Sequence, residues 1–127
     1  MSPRAPRTVG VAAQASHPDR LDVRSPSEYA DDHVPGAISC PVLDDDERAL
    51  VGTLHAERGA FEAKKVGAAL VSRHIATILE TVARDKPRGW SPLVYCWRGG
   101  KRSESLVHVL NEIGFPAVRL DGGYKTW

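Results

Sequence analysis

Short, mostly apolar runs recur along this 127-residue chain and alternate with longer segments of mixed polarity. Each run ends near a proline, a glycine or a charged residue, which is typical of a short strand in a sheet. Because helical patterns separate the runs, the sequence predicts an α/β fold, with a roughly five-stranded parallel sheet and helices on both faces. The predicted strands cover residues 21–23, 37–40, 93–95 and 117–120, with a further edge strand within 8–13.

Helical periodicity is clearest in two segments. Residues 62–84 carry an apolar stripe that predicts a long helix packed on a sheet; its members are Val71, Ile75, Ile78, Leu79 and Val82. A second stripe predicts a helix that stops at Gly114, a residue type common after a helix end; its members are Leu106, Val109, Leu110 and Ile113. A short third helix is predicted after Ser25, because Pro26 suits the first helical position and Glu28 completes a capping box.

An acidic run at residues 44–47 allows two interpretations. Carboxylates stabilise the first turn of a helix through its dipole, and we favour that role here. Paired carboxylates also bind metals, but no histidine or regularly spaced acid accompanies this run in the sequence. The five histidines share no metal-ligand spacing either, so we predict no metal site; they are His17, His33, His55, His74 and His108.

Length and composition indicate one domain of ordinary globular type. We expect an N-terminal leader or edge strand over residues 1–20 and the domain itself over 21–127. A formal net charge of +1 gives no global affinity for nucleic acid, so any RNA contact would need a local patch or another domain. Two cysteines make no disulfide framework, and no apolar run is long enough for a membrane span. We therefore expect a cytoplasmic protein with no membrane partner.

The residues with the clearest chemistry follow the run at 93–95. Cys96 stands between a predicted strand and a predicted helix, where α/β proteins bind ligands. Two glycines allow the loop to curl so that backbone N–H groups converge, and three cations add positive charge. Such surroundings lower the pKa of a cysteine and attract anions. We interpret Cys96 as a nucleophile in an anion-binding loop made of Trp97, Arg98, Gly99, Gly100, Lys101 and Arg102.

The order of several motifs resembles the rhodanese family. Residues 21–24, 28–29 and 33–38 resemble its first signature, and Cys96 in its glycine loop and residues 120–127 resemble the rest. The resemblance covers nearly all of the chain after residue 20 and implies a rhodanese-like fold. We interpret Asp22, Arg24 and Glu28 as a buried structural set of ion pairs, and Cys40 as a core residue.

Within that family, residues 45–53, 63–71 and 96–103 resemble the N-terminal rhodanese domain of bacterial tRNA 2-selenouridine synthases. The resemblance implies replacement of sulfur by selenium in the wobble 2-thiouridine of tRNA, by way of a geranylated thiouridine. It implies selenophosphate as a substrate, no cofactor, and Cys96 as the essential cysteine, carrying selenium as a perselenide. It also implies a C-terminal P-loop domain, which residues 1–127 lack, on a longer chain or a separate partner chain.

Other functions remain open on the sequence. Five residues separate Cys96 from Arg102, which is the Cys-x5-Arg spacing of phosphatases that act through a cysteinyl-phosphate. The alternatives are thus a rhodanese-fold phosphatase, a generic sulfurtransferase, or a docking module without catalysis. Arg102 either neutralises a phosphate or braces the loop. Trp97 either shields a selenium adduct or stacks on the uridine, or it packs against a neighbouring domain.

Overall fold

The computed structural model describes residues 7–10, 17–97, 100–120 and 122–126, and its strands form one sheet in which every pair is parallel. Four strands have three residues each and an edge strand has two. In chain order they are β1 (Arg7–Val9), β2 (Arg20–Asp22), β3 (Ile38–Ser39), β4 (Leu93–Tyr95) and β5 (Val118–Leu120). Their spatial order is β1-β5-β4-β2-β3, which places β4 at the centre. The predicted α/β fold with a parallel sheet is confirmed.

Helices flank both faces of this sheet. They are α1 (Pro26–Asp31), α2 (Asp45–Arg58), α3 (Ala60–Glu80) and α4 (Lys101–Ile113), followed by a 3-10 turn (Gly123–Thr126). Successive side chains of β4 point to opposite faces of the sheet, as in any strand, and pack in two different hydrophobic clusters. Val94 packs with residues of α3 and α4, whereas Leu93 and Tyr95 pack on the opposite face with Tyr29 and Tyr124. The carboxyl end of β4 therefore emerges between two covered faces.

The long helix differs from its prediction at both ends. α3 begins at Ala60 and ends at Glu80, ahead of the predicted limit at residue 84. A separate helix, α2, precedes it, and Gly59 divides the two with a φ of 91° that favours glycine. The predicted apolar stripe is nevertheless correct. Ile75 and Ile78 are buried in the hydrophobic core, and the other three members are partly buried and pack against it.

The buried face of α4 lies one turn earlier than the sequence predicts. Its buried positions include Ser103, Leu106, Val107 and Leu110, whereas Ile113 is exposed. The predicted stripe was therefore wrong at its last member. Since 103, 106, 107 and 110 are also spaced as one helical face, Ser103 belongs to the packed side of the helix.

The predicted capping box is present at the start of α1, and the structure shows a second one within the acidic run at the start of α2. The Glu28 carboxylate accepts hydrogen bonds from the backbone N–H and the hydroxyl of Ser25 at the start of α1. Asp44 caps α2 by accepting the N–H of Glu47, while Glu47 accepts the N–H of Asp44. The N-terminal edge strand is present as β1, whereas residues 11–13 of its predicted range lie outside the described residues. Among the described helices, none has the length and apolar character needed to cross a membrane.

Candidate active site

Cys96 directly follows the central strand, at the carboxyl edge of the parallel sheet. Its Sγ accepts a hydrogen bond from the backbone N–H of Gly100 at 3.1 Å and lies 3.3 Å from the Ser103 hydroxyl oxygen. Gly100 is also the N-cap of α4, so the sulfur faces the positive end of that helix dipole. The Cys96 residue is only 3% exposed. The sulfur is thus held by donors in a nearly buried position.

These contacts change the acidity of the thiol. Burial on its own would raise the pKa of Cys96, but the hydrogen bonds from Ser103 and Gly100, with the charge of Arg102, outweigh it and hold the pKa below its ordinary value. Cys40 is also a buried free thiol, but burial together with the charge of Asp22 raises its pKa to about 12. The site can therefore hold one of the two sulfurs as a thiolate.

Ser103 lies beside the sulfur of Cys96 but is not among the residues that the sequence predicted for this site. It is fully buried in the first turn of α4, and its hydroxyl also lies 3.1 Å from the Gly100 carbonyl oxygen. One hydroxyl proton can serve either the carbonyl or the sulfur, so the group can donate to Cys96 when the thiol ionises. The available signal was the helical spacing, because Ser103 occupies a position where the buried face of α4 would otherwise take an apolar residue.

Arg102 is paired with a carboxylate of α1, and the two roles considered for it, neutralising a phosphate or bracing the loop, stay predictions. Its Nη1 donates to Glu28 Oε1 at 2.8 Å, and Arg48 Nη1 lies 3.3 Å from the same oxygen. Burial alone would raise the pKa of Glu28, but the bonds from Arg102 and Ser25 hold it below its usual range. One carboxylate thus joins α1, α2 and the start of α4, and two arginines share it.

The buried ion pair is smaller than predicted. Asp22 and Arg24 form it, with Arg24 Nη2 at 2.8 Å from Asp22 Oδ2, and both residues are almost fully buried. Glu28 is paired with Arg102 instead. Arg24 Nη2 also donates to the Asp32 carbonyl oxygen at 2.6 Å, and its guanidinium lies 4.2 Å from the centroid of the Tyr124 ring. Arg24 therefore connects β2, the end of α1 and the 3-10 turn.

The 3-10 turn is bonded to the backbone of the cysteine loop. The N–H of Tyr124 donates to the Cys96 carbonyl oxygen at 2.7 Å, and the N–H of Lys125 donates to the Trp97 carbonyl oxygen at 2.8 Å. The Trp97 side chain is 38% exposed, and its ring centroid lies 5.9 Å from that of Tyr124 with 36° between the planes. Trp97 is thus a partly exposed aromatic residue, directly after Cys96 in the chain, whose ring packs on Tyr124.

The remaining predicted loop residues have different outcomes. Lys101 is exposed as the first residue of α4. Gly100 has a negative φ, and a Cβ there would meet no atom within 4 Å, so its contribution is its N–H and not a special backbone conformation. Arg98 and Gly99 lie outside the described residues.

The acidic run has a histidine neighbour that the sequence order concealed. His74 Nε2 of α3 lies 2.6 Å from Glu47 Oε1, and ligand atoms of Asp44, Glu47 and His74 lie within 4.8 Å of one another. A histidine does therefore accompany these acids in the folded chain, although none lies near them in the sequence. Both carboxylates already accept N–H groups at the start of α2, where the sequence predicted that the acidic run would stabilise the first turn through the helix dipole.

Comparison with known proteins gives matches over most of the chain. The rhodanese-like domain family matches residues 11–127. The tRNA 2-selenouridine synthase of Nitrosomonas europaea is 35% identical over 113 residues, which are 83% of this chain and 28% of that protein. The enzyme of the same name from Cupriavidus necator is 41% identical over 110 residues, which are 84% of this chain and 29% of that protein. The chain thus spans less than a third of the length of these relatives.

Two solved structures match this chain over most of both chains. One is the N-terminal domain of a protein from Clostridium difficile 630 that is classed as ATP/GTP binding; it is 32% identical, has a TM-score of 0.78, and the match covers 94% of both chains. Another is a rhodanese-related protein from Thermoplasma volcanium, at 19% identity and a TM-score of 0.58, with 95% of this chain and 89% of that chain covered. The second match bears on the fold alone.

Proposed function

The chain belongs to the rhodanese family, and on that premise we propose that it is the cysteine-bearing part of a tRNA 2-selenouridine synthase. In this proposal the whole enzyme replaces sulfur by selenium in the wobble 2-thiouridine of tRNA, with selenophosphate as donor and Cys96 as nucleophile. A reduced thiol and a tRNA substrate both suit the cytoplasm, where we propose that it acts. The two relatives described above, which bear this enzyme name, support the proposal.

One observation carries the role of Cys96. Its sulfur receives the Gly100 N–H and lies beside the Ser103 hydroxyl at the N-terminus of α4, and these contacts lower its pKa despite burial. A thiolate at neutral pH is the form that attacks an electrophile. The same helix end, with Lys101 exposed at its first position, suits an anion such as selenophosphate.

The intermediate that we propose is a perselenide. It forms when the Cys96 thiolate bonds to selenium and the selenium–phosphorus bond breaks. The bonding pair stays on phosphorus, which leaves as phosphite. In a later step a thiol reductant supplies the two electrons that release selenide from the perselenide. Attack on phosphorus would instead give a cysteinyl-phosphate and release selenide directly. Water would later cleave its sulfur–phosphorus bond to give phosphate. The phosphorus product therefore distinguishes the two routes.

A further domain is part of the proposal. The relatives are more than three times as long as the matched region, and the Clostridium difficile neighbour is the N-terminal domain of a protein classed as ATP/GTP binding. Both facts support a P-loop domain, on a longer chain or on a partner chain, that contributes to the handling of tRNA and of a prenyl diphosphate as the source of the geranyl group.

The phosphatase alternative is less well supported. In a Cys-x5-Arg phosphatase the arginine binds the phosphate of the substrate, whereas Arg102 here donates to Glu28 at 2.8 Å. An incoming phosphate would have to compete with that carboxylate for the guanidinium. Turnover of an aryl phosphate that is lost in an Arg102→Ala variant would nevertheless favour this alternative.

Selenium loading tests the proposal directly. The reduced chain is incubated with selenophosphate without oxygen and examined by intact-mass spectrometry. We expect an adduct with the isotope envelope of selenium, which separates it from a phosphoryl group of similar mass, and phosphite in the ³¹P spectrum. Cys96→Ser should abolish the adduct, and Cys40→Ala, the matched control, should keep it.

Three results would argue against the proposal or a part of it. An unmodified wild-type chain would remove the role of Cys96 in selenium transfer. A phosphoryl adduct with phosphate as product would replace the perselenide by the route through phosphorus. Full selenation of tRNA by a Cys96→Ala chain, reconstituted with the remaining part of a longer relative, would favour a docking module.

A further inference from the structure

Trp97 presents an aromatic face beside the nucleophile. It is the residue directly after Cys96, it is 38% exposed, and its carbonyl oxygen accepts the N–H of Lys125 at 2.8 Å. The preceding carbonyl, of Cys96, accepts the N–H of Tyr124. Because two backbone hydrogen bonds fix this stretch, little entropy would be lost when a ligand stacks on the ring.

The ring is supported from beneath. Tyr124 lies 5.9 Å from Trp97, centroid to centroid, and the Arg24 guanidinium lies 4.2 Å from the Tyr124 centroid. The Tyr124 hydroxyl is hydrogen bonded to Asp32, which raises the pKa of Tyr124. Tyr95 continues the column into the core, at 6.1 Å from Tyr124. Trp97 is therefore the outer end of a column of packed rings that reaches the interior.

The neighbours of this ring favour a flat polar ligand over a protein surface. Lys125, whose N–H is bonded to Trp97, is exposed, and so is Lys101 at the start of α4. The other exposed large apolar residues of the described part of the chain lie on other elements, at Ile38, Leu50, Phe61 and Ile113. An exposed aromatic ring, with exposed lysines on the turn bonded to its backbone and at the start of the following helix, matches the pattern by which proteins bind single-stranded nucleic acid, where a base stacks and phosphates meet positive charge.

We infer that Trp97, supported by Tyr124, is the stacking surface for the pyrimidine base on which Cys96 acts. This inference rests on the proposed function and adds the residue that positions the substrate. A base stacked there would lie against the residue that directly follows Cys96, and the exposed Lys101 and Lys125 would be available to the adjacent phosphates. Of the roles left open by the sequence, the column of rings supports stacking on the uridine.

The test is a double-mutant cycle between protein and RNA. The probe is a fluorescein-labelled anticodon stem-loop with 2-thiouridine at the wobble position, compared with the same RNA abasic at that position, by anisotropy at one salt concentration. We expect Trp97→Ala to weaken binding of the thiouridine RNA about tenfold, as for one lost base stack, and Trp97→Phe by less than about threefold. On the abasic RNA, Trp97→Ala should change Kd by less than about twofold.

Phe61→Ala is the matched control, because Phe61 is a 74% exposed aromatic residue of α3 and should leave every Kd unchanged. Equal losses on both RNAs, no loss on either, or no measurable RNA binding by the wild-type chain would each overturn the inference. The result is independent of selenium loading. If Cys96 takes up selenium but Trp97→Ala weakens both RNAs equally, the stacking role fails and the proposed function stands. If Trp97→Ala weakens only the thiouridine RNA but Cys96 takes up no selenium, Trp97 stacks on the base and the proposed selenium transfer fails.

Discussion

The two buried cysteines differ in the groups around their sulfurs, and not in burial, and this difference gives one a lowered and the other a raised pKa. Cys40 and Cys96 are 2% and 3% exposed, so both pay a similar cost for carrying charge. Only Cys96 has the Gly100 N–H and the Ser103 hydroxyl directed at its sulfur. Their pKa values therefore move in opposite directions.

At this scale we predict that Ser103→Ala makes Cys96 less acidic. The variant removes one donor to the thiolate, which is expected to raise the pKa of Cys96 by roughly half to one unit. Since alkylation follows the thiolate, the pH midpoint for iodoacetamide labelling should move upward by that amount, and the rate at neutral pH should fall. Labelling is read by peptide mass spectrometry, which should also find Cys40 unmodified in the folded chain.

Ser105→Ala is the control for this prediction. Its hydroxyl lies on the same helix but donates to the Lys101 carbonyl oxygen, away from the sulfur. The midpoint for Ser105→Ala should equal that of the wild type. An unchanged midpoint in Ser103→Ala would show that the backbone N–H groups of Gly100 and Ser103, with the charge of Arg102, are sufficient to hold the thiolate.

Among the secondary-structure elements, the features that the sequence predicted correctly depend on residues that are close together in the chain. The capping box of Ser25 and Glu28 and the stripe from Val71 to Val82 could be read from spacing alone, because the residues of each lie close together in the sequence. The pair of Arg102 and Glu28 could not, since 74 positions separate its members. The contact between His74 and Glu47 could not be predicted either, because it depends on how α2 packs on α3.

The shared carboxylate leads to a prediction about how the elements are joined. Glu28→Gln removes the charge that holds Arg102 and Arg48 and should lower the free energy of unfolding at pH 7 by about 1–2 kcal/mol. Because the pKa of Glu28 is depressed in the folded state, its stabilisation is complete above the ordinary pKa of glutamate and is lost as the pH falls through the depressed value. The difference between variant and wild type should therefore shrink in acid.

Urea unfolding followed by circular dichroism at pH 7 and at pH 3 measures this difference. Glu57→Gln, on the exposed surface of α2, serves as the control and should change stability by less than about 0.5 kcal/mol. A loss in Glu28→Gln that persists unchanged at low pH would mean that the amide fails for a reason other than charge.

Over the whole molecule, Arg24 connects the interior to the edge of the sheet that carries the sulfur. Its pairing with Asp22 fixes it in the core, its bond to the Asp32 carbonyl reaches α1, and its contact with Tyr124 supports the 3-10 turn. That turn is bonded to the carbonyl groups of Cys96 and Trp97. The sequence predicted the pair of Asp22 and Arg24, but the contact with Tyr124 joins residues a hundred positions apart and required the structure.

This connection predicts that Arg24→Lys loosens the cysteine loop. A lysine cannot bond to the Asp22 carboxylate and the Asp32 carbonyl with the same fork of donors, nor stack its planar group on Tyr124. The amides of Tyr124 and Lys125, which hold the carbonyls of Cys96 and Trp97, should exchange at least about tenfold faster in hydrogen–deuterium exchange, the ratio for a local loss of roughly 1.4 kcal/mol. The amide of Arg48, bonded to the Asp44 carbonyl at the start of α2, provides an internal control for global unfolding. Equal acceleration at Arg48 would mean that the substitution destabilises the entire fold, and unchanged protection at Tyr124 would show that the turn holds the loop without Arg24.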